Sequence, residues 1–85
     1  MSITVNLRFF ASLREKLGEG EPLALPDGST VASAREALLA RGGIHAEALA
    51  RSRAVRAALN QKMCAESALL ADGDELAFFP PVTGG

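Results

Sequence analysis

The sequence predicts an α+β fold, a mixed sheet covered on one face by one main helix. Three observations lead there: apolar residues recur at every second position from Ile3 to Phe9, at helical spacing from Val31 to Leu38, and at every second position again around Leu76 and Phe78. With 85 residues there is material for one hydrophobic core and not for two.

Ile3, Val5, Leu7 and Phe9 form the buried face of a first strand, and Phe10 then points the other way. The strand gives out at Ala11-Ser12. Ser12 stands three residues before Glu15, the order of a capping box, and Leu13 and Leu17 fall on one side of a short helix that Gly18 ends. Glu21 to Leu25 reads as a second strand, closed by a Pro26-Asp27-Gly28 turn, in which proline presets φ and glycine accepts a positive one. Thr30 is the expected N-cap of the main helix, whose apolar face is Val31, Ala34 and Leu38 and whose stop is Gly42-Gly43. Ile44 to Arg53 suits either a second short helix, through Ala46, Leu49 and Ala50, or a helical loop without fixed boundaries. Val55, Ala57 and Leu59 predict a third strand, Asn60-Gln61 a turn and Met63 a short return. After an Asp72-Gly73-Asp74 turn comes the last strand, which Pro80-Pro81 prevents from continuing in a central position. The small fold that fits this order best is the β-grasp, in which the first and last strands lie parallel and central. Phe10 and Phe79 then share one edge, with coinciding outward faces. We divide the chain into a domain over 1–79 and an extended tail over 80–85.

Composition narrows the function. Nine Lys and Arg against ten Asp and Glu give a net charge of −1, so no basic field gathers phosphates and nucleic acid is not an expected partner. The apolar runs are too short for a spanning helix and the start MSITVNLRFF lacks signal-peptide character, so no membrane association is expected. A single cysteine, Cys64, fits a reducing, cytoplasmic setting. No catalytic constellation is visible. Cys64 has no histidine near it to act as its base and reads as a packing residue. His45 lacks the companions a metal requires and reads as a loop histidine, so no metal site is expected. Arg51, Arg53 and Arg56 read as a solvated face.

The unusual feature is the end, Pro80-Pro81-Val82-Thr83-Gly84-Gly85. Extended, it spans about 20 Å at ~3.3 Å per residue. The prolines stiffen its root, which lowers the entropy lost when a partner fixes it. Gly84 and Gly85 carry no Cβ, so a terminal carboxylate can thread a narrow channel and present its acyl carbon for activation. A frayed glycine end is the alternative. The stiff, apolar root on a sheet strand favours threading.

The stretch DGDELAFFPPVTGG, Asp72 to Gly85, and the stretch FFASLREKLG, Phe9 to Gly18, resemble the MoaD/ThiS sulfur-carrier family of ubiquitin-like β-grasp proteins, in its molybdopterin synthase small-subunit branch. The Asn60-Gln61 turn before the last hairpin also looks like this family. The resemblance spans the chain, with almost no signal between Ile44 and Arg53. It implies that an ATP-dependent, ubiquitin-activating-like adenylyltransferase (MoeB-like) adenylates the Gly85 carboxylate and that a sulfur donor then displaces AMP to leave a thiocarboxylate. The loaded tail, Pro80 to Gly85, would enter the synthase large subunit (MoaE-like) and pass sulfur to cyclic pyranopterin monophosphate in molybdenum cofactor biosynthesis. The small protein would hold no permanent cofactor, ATP being consumed by the activating enzyme, and would supply no acid–base group of its own. Two small subunits would sit on a dimer of the large one. The family's hydrophobic docking surface falls on Phe10, Met63 and Phe79, where the family often has leucine at the position of Met63. Arg14 and Glu15 match its LRE motif, with Arg14 a candidate partner contact. Two rival readings stay open: a ThiS-like carrier for thiazole synthesis or tRNA thiolation, and an inert β-grasp interaction module.

Overall fold

The computed structural model describes residues 1–50 and 54–80. Along the chain run β1 (Ser2–Phe9), α1 (Ala11–Leu17), β2 (Pro22–Pro26), α2 (Val31–Leu39), α3 (Gly43–Ala48), β3 (Arg56–Leu59), β4 (Lys62–Cys64) and β5 (Glu75–Phe79). The strands form one sheet in the order β2-β1-β5-β3-β4. β1 and β5 are parallel neighbours with Phe9 opposite Phe78, and the other pairings are antiparallel. This is the expected mixed sheet with its first and last strands central.

Strict alternation along β1 buries Ile3, Val5, Leu7 and Phe9 on the helix side of the sheet. Leu76 and Phe78 of β5 join them, and the Phe9 and Phe78 rings stack with centroids 6.4 Å apart. Val31, Ala34 and Leu38 of α2 close over this layer, all fully buried. Each large apolar side chain so enclosed contributes about 1.5–3 kcal/mol.

Helix ends follow the local chemistry, with one correction. Thr30 caps α2 as expected: its Oγ1 accepts from the Ser33 backbone N–H, and Ser33 Oγ accepts from the Thr30 N–H. The Ser12/Glu15 capping box does not form. Phe10 is the N-cap of α1 and gives no side-chain cap, because the chain leaves β1 extended at Phe10 and turns through a positive φ at Ala11, which puts Ser12 inside the first turn. Gly18 ends α1 at φ 91°.

α2 ends at Leu39 with Ala40 as its C-cap, ahead of the expected glycine stop; Gly42, at φ 71°, is the N-cap of α3 and Gly43 opens it, so the open stretch after the main helix begins as a short helix. His45 accordingly lies on a helix and not in a loop. β2 begins and ends one residue later than the alternation suggested, with prolines at both ends of an edge strand, where a missing N–H is tolerated.

Two turns fasten the central strands. Asn60 and Gln61, both at positive φ, make the tight β3–β4 hairpin. The Asn60 side chain donates to Asp74 Oδ1 and accepts from the Glu75 N–H, tying that hairpin to the start of β5. In the Asp72-Gly73-Asp74 turn, Asp72 accepts from the Thr4 N–H and Asp74 from the Ala71 N–H. Gly20 passes so close to β1 that a Cβ there would meet the Leu7 carbonyl oxygen at 1.9 Å.

Candidate docking face and tail root

The alternation that buries Phe9 and Phe78 turns their neighbours to the helix-free face of the sheet. Phe10 extends the β1–β5 pairing by donating its N–H to the Phe78 carbonyl, which places its ring beside Phe79. Phe10 is 41% exposed and Phe79 half-buried. One row along, the register sets Arg8 opposite Ala77, Ala77 opposite Ala58, and Ala58 opposite Met63. Met63 is 61% exposed. All three expected docking residues therefore share one face. Phe10 and Phe79 line a common depression of about 250 Å³ over Ala58 and Ala77, with Arg8, Gln61 and Glu75 at its rim. Met63 stands on the far side of the alanines and lines a separate groove with Val55 and Cys64.

Charge is held loosely on this face. The Arg8 guanidinium lies 5.9 Å above the Phe10 ring and 3.8 Å from the Glu75 carboxylate, and both partners of that pair keep substantial solvent contact. Arg14, the other candidate contact, pairs with Glu19 at 2.8 Å in the open.

Phe79 leads directly to the tail. Pro80 is half-buried and borders a cavity of about 240 Å³ beside α1, with Leu13, Lys16 and Val55. Pro81, Val82, Thr83, Gly84 and Gly85 lie outside the described residues, as do Arg51 and Arg53 of the arginine cluster. Arg56, the third of that cluster, is exposed on β3 opposite Phe79.

The remaining reactive side chains sit apart from this face. Cys64 is half-buried against the core, and burial pushes its thiol above the ordinary 9.0 despite an opposing backbone hydrogen bond at Leu59. A thiol held protonated is a poor nucleophile at neutral pH. The Nε2 of His45 is buried without a hydrogen-bond partner among the described residues. Among those residues, no group of three or more His, Cys, Asp and Glu side chains could hold a metal ion, and no helix is long and apolar enough to cross a membrane.

Sequence reasoning missed Arg35. It is 4% exposed, donates to the carbonyls of Leu49 and Ala50, and pairs with Glu66 at 2.7 Å. It thereby satisfies carbonyls just past the end of α3 and fastens that segment to α2. Nothing in its neighbourhood in sequence marks an arginine between alanine and glutamate on a helix as buried.

A mixed five-stranded sheet with a central parallel pair, one helix laid across it and an aromatic face leading into the tail defines the ubiquitin-like β-grasp class. An archaeal ubiquitin from Caldiarchaeum subterraneum, 17% identical, shares the fold with a TM-score of 0.56, each chain covered in full. The chain belongs to the ThiS family, which matches residues 7–85. It is 40% identical over 81 residues to the molybdopterin synthase sulfur carrier subunit of Escherichia coli K12, covering 95% of this chain and 99% of that one. The Haemophilus influenzae protein of the same name is 38% identical over the same coverage. Among solved structures, a putative molybdopterin converting factor subunit 1 from Pyrococcus furiosus has a TM-score of 0.79 at 27% identity, with 94% of this chain and 99% of that one covered. In a complex of subunits 1 and 2 of the molybdopterin-converting factor from Helicobacter pylori, one chain has a TM-score of 0.63 at 25% identity, covering 98% of this chain and all of its own.

Proposed function

We propose that this protein is the sulfur-carrier small subunit of molybdopterin synthase, with the Gly85 carboxyl group as the atom carrier. The observation that carries the reading is identity at the 40% level, end to end, with a molybdopterin synthase sulfur carrier subunit, within a family match that runs through Gly85. The β-grasp domain acts as a handle and the tail as the reactive arm.

The chemistry belongs to an acyl group. A carboxylate is a poor electrophile until one of its oxygens is bonded to a good leaving group. A ubiquitin-activating-like adenylyltransferase supplies it: the Gly85 carboxylate attacks the α-phosphorus of ATP, pyrophosphate leaves, and an acyl adenylate forms. Hydrosulfide delivered by a sulfur donor then attacks the acyl carbon, AMP departs with the bonding electrons, the S–H proton is lost to water, and a thiocarboxylate remains. ATP is consumed by the activating enzyme, and this chain retains no cofactor.

Next, the loaded tail is inserted into the large subunit, where sulfur passes to cyclic pyranopterin monophosphate. Gly84 and Gly85 keep the threaded segment free of Cβ atoms, while Pro80, Pro81, Val82 and Thr83 span the distance from the domain. Docking falls to Phe10, Met63 and Phe79. The H. pylori relative, solved with its second subunit, supports a large-subunit partner of this kind. We place two small subunits on a dimer of the large one, in the cytoplasm.

Intact-mass measurement tests the reading. Incubation with the activating enzyme, ATP and a sulfur donor is expected to raise the mass by one oxygen-to-sulfur exchange at Gly85. An unchanged mass would leave an inert interaction module. Co-purification of a thiazole synthase in place of the synthase large subunit would move the protein to thiazole synthesis.

A further inference from the structure

On the helix-free face the cross-strand register sets out a small grid of side chains. Asn6, Arg8 and then Phe10 stand on the β1 line, Glu75, Ala77 and Phe79 on β5, and Arg56 and Ala58 on β3. The two centre positions are alanines. Their neighbours are large, so the face is dished where it would otherwise be flat, and the hollow measures about 250 Å³. Phe10 and Phe79 wall its tail-proximal end and Glu75 its far end, with Arg8 along one side. Ala77 is only 5% exposed although it faces away from the core, so the surrounding side chains already keep most water from the floor.

The charge on the grid differs in sign from that of the molecule. The chain carries −1 overall, whereas the grid holds Arg8 and Arg56 against Glu75 alone. The Arg8–Glu75 contact is long at 3.8 Å and open to solvent, so it leaves the guanidinium free to take a second, closer acceptor. An apolar hollow with an arginine along its side and another on the adjoining strand is complementary to a bulky apolar side chain next to a carboxylate.

Resting on the reading that this face meets the synthase large subunit, we propose that the hollow over Ala58 and Ala77 is the specificity pocket of the interface. It receives one bulky apolar side chain of that subunit, and Arg8 and Arg56 receive an acidic group beside it. The aromatic residues then supply contact area, while the alanines decide which partner side chain fits. Overfilling a well-packed site displaces its occupant, so a larger residue on the floor is as damaging as loss of an anchor.

The test is calorimetric titration of the full-length protein with the molybdopterin synthase large subunit of the same organism, with thermal unfolding of each variant alongside. Ala58→Leu is expected to bind about thirtyfold more weakly, at unchanged unfolding temperature. Ala58→Ser, which keeps the floor small, is expected to bind within about threefold of wild type and so separates filling from mere substitution. Arg8→Gln with Arg56→Gln is expected to weaken binding about tenfold at low salt and to flatten its salt dependence. If Phe79→Ala weakens binding and Ala58→Leu does not, the pocket is refuted while the docking reading stands. If neither variant changes affinity, the docking reading itself fails. An unaltered salt dependence in the double arginine variant would remove the acidic group from the proposal.

Discussion

Phe79 is the last residue of its strand and stands on the helix-free face, so its ring adjoins the start of the tail. Phe79→Ala is expected to weaken binding to the large subunit by about 1–3 kcal/mol, read by calorimetry. Met63→Ala should cost under about 1 kcal/mol, because the flexible thioether stands beyond the alanines and outside the hollow that the two rings share. Cys64 offers a pH-dependent test. Its folded thiol is raised above the unfolded value by burial, so the unfolded chain gives up its proton first as pH rises. Stability is therefore unaffected by this group below the unfolded thiol value and falls as pH climbs past 9.0 toward the folded one, a fall that Cys64→Ala should remove from the pH dependence of urea midpoints. At this scale the sequence was legible wherever a residue's direction follows from strand period, as for Phe10 and Phe79. It was illegible at Ala58 and Ala77, since alanine has the same appearance in a core, on a helix or on the floor of a hollow. Ser12 and Glu15 show the opposite error, a sound capping pattern displaced by a backbone turn one residue upstream.

Helix α3 is the element that its own residues leave undecided between helix and loop. Gly43 and His45 are mediocre helix formers, and a segment this short has almost no helical stability of its own. What holds it comes from another element, the Arg35 guanidinium of α2 bonded to the Leu49 and Ala50 carbonyls. Arg35→Ala is expected to destabilise the domain by about 2–4 kcal/mol in urea unfolding, since two carbonyls lose a donor and the ion pair to Glu66 is broken. The cap of α2 is a smaller matter. Thr30→Ala should cost about 1 kcal/mol by the same measurement, because Ser33 then keeps only one half of a reciprocal pair. Caps and periods within an element can be read from its own residues, as Thr30 was. A clamp from a helical arginine to a carbonyl fourteen residues on, past the end of another helix, cannot.

For the whole molecule, the proposed function assigns docking to the domain and sulfur carriage to the tail, and removing the end of the tail should separate them. Deletion of Gly85 is expected to abolish sulfur transfer in the reconstituted synthase while leaving the thermal unfolding temperature and large-subunit affinity near wild type. Persistent molybdopterin formation by the truncated protein would overturn the role of that residue. The sheet order was legible because two alternating segments flank one long helical one and few small folds accept that sequence of elements. It also has a consequence for synthesis. The two strands at the middle of the sheet are far apart in the chain, so on the ribosome β1 keeps one hydrogen-bonding edge unpaired until residues 75–79 clear the exit tunnel. A message cut short before that point yields a polypeptide without the central strand pair and without Phe79, open to proteolysis. Closure of the core and presentation of the Phe79 ring thus arrive together, in one pairing event.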